Sequence, residues 1–135
     1  MLDLYDKYSN VSKNLTYENK AHDFVVINLG TNDASFLNKY VGQDNSYAFN
    51  YALLLKKVVE DNPNATIICI YGMMGLNKTI KSDIETAVED VKSSTGLSTI
   101  YTLFDFTAVS GRHPIESEHE VFAKTLFNFI KSLNK

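Results

Sequence analysis

Two short stretches of the chain carry residue types that chemistry needs. The first is Gly30-Thr31-Asn32-Asp33, which closes the apolar run DFVVINL at residues 23–29. The second is Arg112-His113-Pro114, inside the loop TAVSGRHPIESEH at residues 107–119. A histidine that ordinarily titrates near neutrality can act as a general base, and Pro114 restricts the residue before it to extended backbone. An asparagine amide at a strand tip can donate to a developing oxyanion, with a glycine beside it letting a ligand approach the backbone. Each stretch also has a plain structural reading. His113 can be a loop residue that caps a helix, and Gly, Asn and Asp are the usual residues of turns.

The elements around these stretches decide whether they meet. Residues 24–29, 66–71 and 98–106 are apolar runs rich in β-branched and aromatic residues, and they predict three strands. Between and after them, helices are predicted over 47–60, 79–93 and 117–133. The first has Ser46 as N-cap and Asn62-Pro63 as its stop, with Phe49, Leu53, Val58 and Val59 on a face that Tyr51, Ala52, Leu54 and Leu55 broaden. The second places Ile80, Ile84, Ala87, Val88 and Val91 at helical spacing and ends at Gly96. The third carries a stripe of Val121, Phe122, Leu126, Phe129, Ile130 and Leu133. Strands that are apolar throughout and alternate with helices imply an α/β fold, a parallel sheet covered on both faces. Ligands of such sheets bind outside the carboxyl ends of the strands. Asn32 and His113 both fall there, as does Gly72-Met73-Met74-Gly75 after the second strand.

With NLGTND at 28–33 and RHP at 112–114 in this order, the chain resembles the SGNH (GDSL-like) hydrolase superfamily. HPIESEHEVFAKTL resembles that family's closing helix, and the likeness extends over residues 23–133. VVINLGTND and YAFNYALLLKKVVEDNPNATIICIYG are most similar to carbohydrate acetyl esterases of the acetylxylan type. The resemblance implies an α/β domain with a three-layer flavodoxin-like parallel sheet, and a serine esterase that deacetylates carbohydrate. Asn32 would donate to the oxyanion, His113 would be the catalytic base, and Gly30 and Asp33 would support the loop. His119 would be a structural histidine.

The chain departs from that pattern in two places. The carboxylate that usually stands three residues before the histidine is replaced by Ser110. A main-chain carbonyl can orient the imidazole instead, as in some carbohydrate esterases, and Asp105 is the nearest upstream acid. The Gly-Asp-Ser block that carries the nucleophile is absent, and Ser9, Ser12 and Ser35 do not stand in a comparable context. The expectation is the C-terminal portion of an SGNH domain, a single unit over 1–135 with 1–22 as a leader, holding base and oxyanion amide but no nucleophile. Its acetylated-carbohydrate substrate would then need a missing N-terminal part, and the unpaired strand at 24–29 predicts self-association or pairing with that part.

Composition narrows the alternatives. The 135 residues carry a formal charge of −3 with Arg112 as the sole arginine, which is no electrostatic footprint for nucleic acid. No apolar run is long enough to cross a membrane, and MLDLYDKYSN lacks the regions of a signal peptide. The single cysteine, Cys69, sits in an apolar run and reads as a buried thiol. No cofactor is implied. A metal held by Asp33, Asp105 and His113 has no recognised ligand spacing, and no Gly-rich phosphate loop follows any strand. A second reading is a non-catalytic carbohydrate-binding module derived from such an esterase, with Tyr40, Tyr47 or Tyr71 stacking on sugars.

Overall fold

A computed structural model describes Tyr5 and residues 22–39, 46–106, 109 and 112–133, the side chains of 36–39 excepted. The leader otherwise lies outside the described residues, as do Ser9, Ser12, Tyr40 and Ser110. Three strands form, β1 (Phe24–Asn28), β2 (Thr66–Ile70) and β3 (Ile100–Leu103), with helices α1 (Thr31–Lys39), α2 (Tyr47–Asp61), α3 (Lys78–Thr95) and α4 (Glu116–Leu133). The sheet is parallel in the order β1-β2-β3. Asn28 pairs with Ile70 and Ile70 with Leu103, so the three carboxyl ends are level.

Period-two alternation sorts the strand residues between two apolar clusters. Val25, Ile27, Ile67, Cys69, Tyr71 and Ile100 face the cluster built with α2 and α3. Ile68, Ile70 and Leu103 face the other side, where Phe106, Leu126, Phe129, Ile130 and Leu133 cover them. Because the strand order advances in one direction, right-handed crossovers place α2 and α3 on the same face. Helix α4 supplies the third layer. All five residues expected on the inner face of α3 are buried. That helix starts at Asn77, whose side chain accepts from Thr79 N and Ile80 N, and stops at Gly96 with φ 73°.

Several boundaries and faces differ from the sequence expectation. Helix α2 buries Tyr47, Tyr51, Ala52, Leu54, Leu55 and Val58, whereas Phe49 points outward at 66% exposure. Ser46 stands at its start without a side-chain capping bond and instead accepts from Asn50 Nδ2. Strand β3 is shorter than expected, four residues against nine over 98–106. The stripe of α4 is only partly covered. Phe122 is buried, Val121 is exposed, and the rest pack at the margin of the second cluster. The Gly30–Asp33 stretch is also more than a turn, because it opens α1.

Candidate active site

The site is built from three loops at the level carboxyl edge of the sheet. After β1 the chain turns at Gly30, whose φ of 123° favours glycine. A Cβ at this position would come within 2.7 Å of Ile80 Cγ2 and 3.0 Å of Tyr47 Oη, with Tyr71 Cδ2 at 3.3 Å. The glycine therefore lets the β1–α1 turn seat directly on α2, α3 and the end of β2. Gly30 O accepts from Ala34 N at 2.8 Å, which starts α1 with Asn32 and Asp33 in its first turn. Asp33 suits that position because a carboxylate is favoured beside the free N–H groups of a helix start. Asn32 is exposed there, so its amide is free to meet a ligand. Ser35 is also exposed, but its Oγ donates to Thr31 O within α1, 3.3 Å away.

The loop after β2 is held by its neighbours. Gly75 N donates to Gly72 O at 3.0 Å, closing a tight turn. The Tyr71 hydroxyl accepts from Asn77 N at 3.1 Å, tying the turn to the start of α3. A cleft of about 300 Å³ opens between this loop and α1, lined by Thr31, Ser35, Tyr71, Met74 and Asn77 among others. It adjoins the turn that carries Asn32, but neither Asn32 nor His113 lines it.

The third loop carries His113. Val109 N donates to Met73 O at 2.9 Å, which docks this loop against the one after β2. Asn28 Nδ2 lies 3.9 Å from Met73 Sδ, a weak contact that links the same methionine to β1. His113 is exposed and followed by Pro114. Its carbonyl accepts from Arg112 Nη1 at 3.0 Å. Arg112 also grips Glu118 through both guanidinium ends, at 2.7 and 2.6 Å. Glu118 reaches back to accept from Ile115 N at 2.7 Å, while Ile115 O accepts from Glu118 N and His119 N. This is a capping arrangement at the start of α4. The Arg112 guanidinium and the Ile115 amide hold the Glu118 carboxyl down at about 2. Sequence reasoning missed this pair. An arginine six residues before a glutamate at the third helical position is the signal that could have shown it.

Asn32, in the first turn of α1 after β1, and His113, between β3 and α4, both follow strands with level carboxyl ends, and no hydrogen bond joins them. Asp105 is exposed at the end of β3 and makes no bond to His113. His119 is exposed, with its ring edge-on to Phe122 at 6.2 Å. Tyr47 and Tyr71 are buried in the core, which removes both as sugar-stacking platforms. Their burial follows from their inward positions on α2 and at the end of β2. Cys69 is fully buried, and burial pushes its thiol up to about 11 despite the Tyr51 hydroxyl beside it. Among the described residues no group of three His, Cys, Asp or Glu side chains is placed to hold a metal. No helix among them is long and apolar enough to cross a membrane.

No protein-family model matches the chain, and comparison with curated proteins finds no match. Solved structures do match. A family two carbohydrate esterase from Clostridium thermocellum, in complex with cellohexaose, superposes with a TM-score of 0.75 at 24% identity, over 97% of this chain and 42% of its own. An acetyl xylan esterase from the rumen bacterium Butyrivibrio proteoclasticus superposes with a TM-score of 0.70 at 21% identity, over 87% of this chain and 39% of its own. A family two carbohydrate esterase with a carbohydrate binding domain, from Corynascus thermopiles (Myceliophthora fergusii), gives 0.62 at 20% identity, over 83% and 37%. The chain spans about two fifths of the length of these proteins. Its three-layer α/β architecture is that of part of the SGNH-like fold these carbohydrate esterases share.

Proposed function

We propose that the chain is part of a serine esterase that removes acetyl groups from carbohydrate, and that it carries the oxyanion donor and the base. In this reading the Asn32 amide donates to the oxyanion that forms when an acetyl carbonyl is attacked. His113 takes the proton of the attacking serine and gives it to the departing sugar oxygen, and water then hydrolyses the acetyl-serine to release acetate. The serine comes from polypeptide outside these 135 residues. Asn32 and His113 need no cofactor for these roles.

What supports the reading is that NLGTND and RHP follow strands whose carboxyl ends are level, within a fold shared with carbohydrate esterases. The cellohexaose bound to one of those proteins supports a polysaccharide as the partner class. The reading is tested by titrating the isotope-labelled chain with acetylated xylo-oligosaccharide and following its amide resonances. We expect shifts confined to residues 29–33, 72–76 and 105–115, with no release of acetate. Shifts elsewhere, or none, would count against the site. Hydrolysis of an aryl acetate by the pure chain, abolished by His113→Ala, would overturn the assignment of the serine to another segment. Binding that persists in Asn32→Ala and His113→Ala, in a full-length protein without esterase turnover, would favour a carbohydrate-binding module instead.

A further inference from the structure

Among the described residues no carboxylate is bonded to the His113 imidazole, and the hydrogen bond that reaches His113 is to its backbone carbonyl. Pro114 limits the φ and ψ of His113 but does not anchor the loop to the rest of the molecule. The anchor is visible in the hydrogen bonds of Arg112. One guanidinium end donates both to His113 O and to Glu118 Oε2, and the other donates to Glu118 Oε1. Glu118 is in turn fixed to the first turn of α4 by the Ile115 amide. A planar fork that meets both carboxylate oxygens sets direction as well as distance, which an ammonium cannot do.

We infer that Arg112 and Glu118 are positioning residues for His113, forming a clamp that fixes the His113 carbonyl, and with it the direction of the imidazole, to the start of α4. The functional weight of the clamp rests on the reading of His113 as the base; its structural part does not. The pair is exposed, with side chains at 49% and 27%, so its contribution to global stability is small. Its effect is local and geometric. Replacing the guanidinium by an ammonium keeps the charge but removes the fork that meets both Glu118 oxygens and the His113 carbonyl.

The clamp is tested on the intact chain by 15N relaxation and by the imidazole resonances of His113, with His22 and His119 as internal references. In the parent chain we expect the His113 amide to be as rigid as α4, with an order parameter near 0.85. In Arg112→Lys and in Glu118→Gln we expect it to fall below about 0.6, with the His113 ring signals moving toward those of an unstructured peptide. At neutral pH the denaturation midpoint should fall only slightly, and the Phe122 signals should stay where they are. An unchanged His113 in both variants overturns the inference. So does a uniform loss of order along α4, because the pair would then be a helix cap alone. No substrate is needed, so this outcome is independent of whether His113 proves to be a base.

Discussion

Gly30 shows how much a single missing side chain can decide. Its positive φ and the atoms of Ile80, Tyr47 and Tyr71 packed against it allow no Cβ without a shift. Gly30→Ala should cost about 1–3 kcal/mol through backbone strain, with the clash added to it. Urea denaturation of the variant measures this. An equal midpoint would mean that the turn relaxes freely. The same position explains why the site was half legible from residues alone. Gly, Thr, Asn and Asp serve turns and helix starts equally well. The tetrapeptide therefore identified a strand tip without revealing that α1 begins there. The Arg112–Glu118 pair was missed for a different reason: its six-residue spacing becomes a contact only when the loop folds back on the helix it precedes.

At the level of the helices, legibility followed the sharpness of the apolar pattern. Helix α3 alternates apolar and charged residues cleanly, and its inner face and its glycine stop match expectation. Helix α2 is apolar over much of its circumference, so spacing could not fix its phase, and Phe49 was placed on the wrong side. Helix α4 has a clear stripe, but among the described residues the sheet beneath it is three strands wide and covers part of it. The start of α4 also carries a pH dependence. The Glu118 carboxyl lies at about 2 in the folded chain against an ordinary 4.5. A depressed carboxylate stabilises the fold above its unfolded value, and that contribution is lost as pH falls from about 4.5 toward 2. The denaturation midpoint should therefore drop less over that interval in Glu118→Gln than in the parent chain. Salt should shrink the difference, because the pair is exposed. Identical slopes for the two proteins would exclude Glu118 as a contributor.

At the scale of the whole molecule, the described residues leave one side of the sheet open. Among the described residues β1 is one of the two outer strands of the sheet, and Phe24 and Val26 stand on its face at 39% and 40% exposure. Leu29, at its end, is also exposed. A five-residue parallel strand with apolar side chains and an unpaired backbone edge invites another strand. The esterases that share this fold are more than twice as long as the chain. We expect the pure chain to self-associate, exchange strands or retain a separate polypeptide along β1. Sedimentation with mass analysis checks this. A stable monodisperse monomer with nothing bound would contradict it. Val26→Lys, which places a charge on that face, should shift any association toward the monomer.

The central position of β2 has a further consequence, for the order in which the molecule comes apart. It is the only one of the three strands paired on both sides, and Ile67 through Ile70 are almost wholly enclosed. Its amides should be the last to exchange with deuterium, and fraying should start from β1 or β3. Asn32 follows one of those flanking strands and His113 the other. A fluctuation at one flank can therefore unseat one of the two groups while the other keeps its place, and the pair is intact only while both flanks are closed.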